Sequence, residues 1–408
     1  MQIGFKTIAF ELKGDYLEIT LLNIFKSKIP LNELEEIGKF KLKDSHILEF
    51  LQTHDKKTEL CFLGLLSKAM DHLTNSVNGN PAVYIHRNSE IPLIGNVSFG
   101  IVYRNSSLIE IKPVTSCNLN CIYCSVGEGQ KSEKVDYVIE KDYLIEELQK
   151  LIDFVAEPVE VHIGVQGEPF LYADLMEIIE DLQNNKQIKV ISMDTNMTLT
   201  TSNMLDRLSK CNKLRLNISL DALNPDLAQK MAGCVYNLEH VLKMIKYAVS
   251  KKIKILIAPV LLPGHNEEEM EKIIGFIKEL KLESKEKHPI IGIQNFLNYK
   301  TGRNPAKAKT WEEFYEFIRK LEQKTEMDLK LNSEKFGIRK TKELPKPFRE
   351  GDEVKAIIKL PDRFPHTSIA VAKDRCISIP DCEFRRDKTV KVKITRDKHN
   401  IFGGKLVK

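Results

Sequence analysis

Between residues 108 and 325 the chain alternates six times between a short apolar run and an amphipathic helical stretch. No other feature restricts its fold as much. Strands are predicted at "LIEIKPV", "VEVHIGV", "IKVISMD", "LRLNISLD", "IKILIAPVL" and "IIGIQNFL". The intervening stretches follow the 3.6-residue period: "EKDYLIEELQKLIDFV" puts Leu144, Leu148, Leu151 and Val155 on one face. A strand that returns parallel through a helix makes a right-handed crossover, so such units predict a parallel sheet curled into a barrel. Eight units complete a barrel; six predict an open one with a lateral gap. At 408 residues and 46.8 kDa there is room for this core and for smaller modules beside it.

Strands covered on both faces are apolar throughout, but several of these alternate. In "LRLNISLD" Leu216, Ile218 and Leu220 share one face, and Arg215, Asn217, Ser219 and Asp221 the other. Ser192, Asp194 and Asn196 align likewise, as do His162, Gly164 and Gln166. The polar positions gather towards the carboxyl ends of the strands, where barrels of this kind build their sites. A wet, functional cavity is expected there. For His162 and Asn217 inward polar packing is an equal reading.

Just after the first of these strands lies "CNLNCIYC", with Cys117, Cys121 and Cys124 at intervals of four and three residues. The other five cysteines (Cys61, Cys211, Cys234, Cys376, Cys382) are scattered, which does not suit a disulfide framework. A zinc site would need a fourth ligand, from Cys211, Cys234 or a histidine. The other reading is a [4Fe–4S] cluster held by three thiolates, with one iron open to a small chelating molecule.

"CNLNCIYC" resembles the CxxxCxxC signature of the radical S-adenosylmethionine (radical SAM) superfamily, including the aromatic Tyr123 before the last cysteine. "VQGEP" is similar to the superfamily's Gly-Gly-Glu segment, with Gln166 in place of the first glycine, while "NISLDA" and "VLLPGHNEEE" resemble its strand-four and strand-five segments. The resemblance implies a partial (β/α)6 barrel, a [4Fe–4S] cluster on Cys117, Cys121 and Cys124, and S-adenosylmethionine chelating the fourth iron. It implies reductive cleavage to methionine and a 5′-deoxyadenosyl radical, fed by a low-potential electron donor. For the cofactor site it implies Tyr123 beside the adenine, Gln166, Gly167 and Glu168 at the ammonium, and Asn196, Ser219 and Asp221 near ribose or carboxylate. No residue is assigned to act on the substrate. Lys300 and Arg303 could meet an anionic substrate, or belong to a solvated loop.

The organisation expected is therefore α/β: an N-terminal α+β segment (1–104), the partial radical SAM barrel (105–325), a linker (326–345) and a small β-barrel (346–408). In the first segment "YLEITLLNIF" reads as a strand, "NELEEIGKFKLKDSHILEFLQ" as a broken helix and "DKKTELCFLGLLSKAMDHLT" as a second helix with Cys61 in the core. "VSFGIVYR" reads as a strand closing that segment. Five short β-like runs after "LPKPFREGDE" predict a barrel, with Cys376 and Cys382 read as buried packing.

Residues 341–408 hold 17 Lys/Arg against 10 Asp/Glu, a balance of +7 that leaves the rest at −2 of the chain's +5. A basic module on a near-neutral body points to a polyanion. In length, rhythm, place and charge it resembles the OB-like TRAM domain of RNA-modifying enzymes, which implies RNA, and tRNA first, as substrate. A protein or metabolite substrate is the alternative within the enzyme class; outside it stands an iron–sulfur electron carrier or redox sensor. The first hundred residues lack the three further cysteines of the tRNA methylthiotransferases, which speaks against a second cluster there. With 42% apolar and 29% charged residues, no apolar run long enough to span a membrane and no signal-peptide pattern at the start, a cytoplasmic protein without a membrane partner is expected.

Overall fold

The computed structural model describes residues 1–51, 56–164, 166–280 and 289–407. Five strands, Leu108–Lys112, Val159–Ile163, Ile188–Thr195, Leu214–Ile218 and Lys254–Ile257, run parallel in that order across one sheet. The sixth is short: Gln294–Asn295 pairs in parallel with Val260–Leu261, and Ile291 bridges to Ile257. Helices follow the strands, and Lys141–Val155 buries Leu144, Leu148, Leu151 and Val155 as its periodicity requires. The outcome is an open α/β barrel with an N-terminal α+β segment and a closed C-terminal barrel. Gln52, Asp55 and Val165, within stretches assigned above, lie outside the described residues.

The boundary between the first two units is interwoven. Gly100–Tyr103, expected to finish the N-terminal segment, pairs antiparallel with Leu108–Lys112 and belongs to the barrel sheet. Conversely Asp136–Ile139, well inside the expected barrel region, adds in parallel to Pro81–Ile85 of the N-terminal sheet. The chain thus crosses twice between units, and the segment after the cysteines is fixed to the N-terminal sheet.

Two local expectations are corrected. "NELEEIGKFKLKDSHILEFLQ" is helical only at Leu31–Glu35; Phe40–Asp44 and Ile47–Phe50 form a hairpin. Here a period of two wins: Leu48 and Phe50 alternate inward to 0% and 1% exposure. The turn is tied by the Asp44 carboxylate accepting from the His46 N–H at 2.7 Å. In helix Lys56–Met70 the buried stripe is Thr58, Phe62, Leu66 and Ala69, which leaves Cys61 one position off it and exposed.

The five C-terminal strands close into a barrel around Phe348, Ile358, Ile377, Val392 and Phe402, with Cys376 and Cys382 buried. It is seated on the body. Cys376 N–H donates to Ile94 O (3.0 Å), Phe402 N–H to Gly95 O (3.0 Å) and Tyr137 Oη to Pro361 O (2.7 Å). Gly95 has φ +127°, and a Cβ there would stand 2.4 Å from the Cys376 backbone, so only glycine permits the approach. The stretch expected as a linker is likewise packed: Ser107 N–H donates to Arg339 O, and Phe336 lies under the Arg215 guanidinium at 5.0 Å.

Candidate active site

Inside the barrel, strand alternation turns one residue in two inward, and the parallel register sets His162, Ser192 and Arg215 side by side, with Asp194 beside Asn217 in the next layer. Arg215 pairs with Glu160 at 2.7 Å, both side chains under 10% exposed. Ser192 Oγ donates to Glu160 Oε1 (2.6 Å), so its remaining contact, with His162 Nδ1 at 2.8 Å, makes the imidazole a donor there. His162 Nε2 reaches Asp194 at 3.1 Å, and a carboxylate only accepts. Both ring nitrogens therefore carry protons. Burial is the largest single influence and would lower the His162 pKa; the charge and hydrogen bond of Asp194, together with the Glu160 charge, outweigh it and raise it. Burial pushes Asp194 up in turn, but His162 and the Asn217 amide (2.9 Å) hold it low. The floor is an ionised, prepaired layer; His162 and Asn217 lie outside the cavity wall, so inward polar packing is the role the structure gives them.

Above it opens a cavity of about 290 Å³, walled by Cys117, Cys121, Cys124, Tyr123, Gly167, Glu168, Asp194, Asn196, Ser219 and Asp221. Of the residues expected around the cofactor only Gln166 does not line the cavity; it is buried, with its Oε1 unpartnered. Tyr236, Asn295, Phe296 and Tyr299 also line the cavity. They were not anticipated, because Tyr236 sits in the turn between two helices and the others on or after a strand of only two residues, where no periodic signal marks an inner face. Cys211 donates to Gln183 on the outer side, and neither it nor Cys234 lines the cavity.

Gly167 has φ +65°, and a Cβ would meet Ser116 O at 2.2 Å, because this loop is pressed against the root of the cysteine loop. Glu168 is 2% exposed and accepts from Thr195 Oγ1 (2.8 Å), Asn196 N–H (2.8 Å) and Phe170 N–H (3.3 Å). Burial outweighs these bonds and pushes its pKa up to about 7. Asp221 is pushed up to about 6 by burial; it accepts from Tyr123 Oη and, at 2.8 Å, from Val260 N–H. Asn196 is tied to Asn118 of the cysteine loop at 3.0 Å. Burial likewise raises the thiols of Cys117 and Cys121. Among the described residues no lysine, arginine or histidine lines the cavity. A buried carboxylate lacking a counter-cation and three thiols without a fourth suit a ligand that brings positive charge.

Arg303 serves neither reading made for it. Its guanidinium donates to Cys121 O (2.8 Å) and Asn120 Oδ1 (2.7 Å) and its backbone N–H to Cys124 O (2.9 Å), clamping the cysteine loop; Lys300 is exposed.

Residues 111–277 match the Radical SAM superfamily. The uncharacterized protein MJ0103 of Methanocaldococcus jannaschii is 34% identical over 96% of this chain and 95% of its own length. GTP 3′,8-cyclase of Listeria welshimeri is 30% identical over 42% of this chain, which spans half the cyclase's length. Among solved structures, Streptococcus suis SuiB bound to S-adenosylmethionine covers 80% of this chain and 71% of its own at 16% identity and a TM-score of 0.43. The chain belongs to the radical SAM superfamily, whose enzymes use a [4Fe–4S] cluster and S-adenosylmethionine.

Proposed function

We propose that this radical SAM enzyme acts on RNA, with tRNA the first class to test. Cys117, Cys121 and Cys124 would hold the cluster. In support, all three cysteines line one cavity together with Glu168 and Asp221. When bound, cluster and S-adenosylmethionine supply a carbon-centred radical that abstracts hydrogen from substrate, given a low-potential electron donor. The chain's own residues bind and orient. Glu168 would accept from the ammonium of S-adenosylmethionine, with Gln166 and Gly167 bringing the backbone close. Ser219 would meet a hydroxyl. Asp221 would hold Tyr123 in the wall, and Asn196 would hold the cysteine loop to Glu168.

Glu168→Gln is expected to weaken S-adenosylmethionine binding by about tenfold or more, since a charged hydrogen bond contributes about 1.5–3 kcal/mol. Calorimetry on the cluster-loaded chain checks this. Unchanged affinity would remove Glu168 from the role.

The observation carrying the RNA reading is a lysine ladder on the outside of the C-terminal barrel. Lys355 stands directly opposite Lys391, and Lys393 opposite Lys405, all exposed, with the carboxylate of Glu353 set among the four, paired with Lys391 at 2.6 Å and opposite Lys393. Like charges facing across strands cost stability, and a polyanion relieves them. The cavity is the reverse, acidic and without cations, so it suits an uncharged base better than a phosphate. RNA reconciles the two, with phosphates outside and one base drawn in, and the barrel's TRAM-like build agrees. Replacing Lys355, Lys393 and Lys405 by glutamine is expected to lower the log-affinity slope against log salt for total tRNA by roughly two to three. An unchanged slope favours a protein or metabolite substrate instead.

A further inference from the structure

Three parts of the chain meet at one buried polar knot beside the cysteines. Arg363 of the C-terminal barrel is 3% exposed; Glu128, four residues beyond Cys124, is 4%; Asp136, on the strand joining the N-terminal sheet, is 1%. One terminal nitrogen of Arg363 pairs with a Glu128 carboxylate oxygen and lies 3.7 Å from Asp136. Asp136 also accepts from Asn75 (2.7 Å), Asn78 (3.0 Å) and Thr115 (2.8 Å). The other two guanidinium nitrogens are buried without an acceptor. Such a pair is a poor stabiliser, because desolvating both ions offsets their attraction; its best-attested use is to fix register. The register concerned is that of Glu128, whose backbone N–H points at Cys124 Sγ at 3.3 Å.

We infer that Arg363 is a positioning residue for the metal-binding loop: by gripping Glu128 it aims that N–H at the Cys124 sulfur, making the C-terminal barrel part of the cluster's housing. The inference rests on Cys124 as a ligand. Hydrogen bonds to cluster sulfurs are among the features that set reduction potential, since a donor stabilises the added electron. Releasing Glu128 therefore makes the cluster harder to reduce.

The test is the double variant E128Q/R363M in the full chain, reconstituted anaerobically, with R363K as the conservative control. Removing both charges leaves Asp136 as the buried carboxylate of the knot, and it keeps its bonds from Asn75, Asn78 and Thr115, so the double variant is expected to unfold near the parent temperature without its cluster. Its net charge beside the cluster also matches the parent's. Its midpoint potential, followed by electron paramagnetic resonance, is expected to move negative, and its iron to be held about tenfold more weakly against a chelator. R363K is expected to keep both near the parent. Parent-like potential and iron retention in the double variant would overturn the inference. A parent chain that takes up no cluster at all would overturn the cofactor reading and this with it.

Discussion

Replacing Cys121 by alanine is expected to bring bound iron to background and abolish the broad visible absorption of the reconstituted chain. Formation of 5′-deoxyadenosine from S-adenosylmethionine under dithionite should cease with it. The expectation follows from the ligand count. The site offers three thiols, and with two left no described cysteine or histidine of the cavity wall can replace the third. Cys234, whose sulfur lies 4.0 Å from Asn118 O, lines no part of the cavity. The loop is also unable to shift another residue into place. Asn120 and Ile122 donate to Ala232 and Met231, Gly233 leaves no space for a Cβ against Asn120 O, and Arg303 grips Cys121 O from the other side. Iron content near the parent's in Cys121→Ala would refute the ligand set.

Much of this site was legible because its signals are local. The cysteines sit within eight residues, and Glu168 follows five residues after the strand Val159–Ile163. The barrel was legible for the same reason: Leu144, Leu148, Leu151 and Val155 repeat at a period that only a helix buries. What escaped depends on contacts between distant residues. Arg303 clamps Cys121 across 182 positions and Arg363 grips Glu128 across 235, and neither has a neighbour in sequence that betrays its partner. The hairpin at Phe40–Phe50 was misread because charged residues between its apolar ones fit both periods, and Phe62, in edge contact with Phe50 at 5.8 Å, decides between them. The basic module was legible in charge alone. Its seat on Ile94, Gly95 and Tyr137 shows why removing residues 346–408 would strip buried contacts from the body, so substitutions on its outer face are the cleaner probe.

The largest expected loss of stability lies beneath the cavity, at Arg215→Met. Arg215 and Glu160 form the lowest link of a chain running through Ser192 and His162 to Asp194 at the cavity wall. Without the guanidinium, Glu160 stays buried with only the Ser192 hydroxyl at Oε1, and its Oε2 already lacks a partner. Stranding one charge of a buried pair costs about 3–5 kcal/mol, and the cation over the Phe336 ring is lost with it. Urea unfolding should show this as a fall in midpoint at unchanged slope. The companion E160M/R215M is expected to regain most of the loss, because two well-packed apolar side chains need no counter-charge. The double variant should also change His162, since Ser192 then loses its acceptor and is free to donate to the imidazole. An imidazole that accepts at Nδ1 and donates at Nε2 is neutral, so the His162 resonances in nuclear magnetic resonance should titrate at lower pH in the double variant than in the parent. A single variant within 1 kcal/mol of the parent, or a His162 titration unmoved in the double, would break the link between the barrel's buried charges and the ionised floor of its cavity.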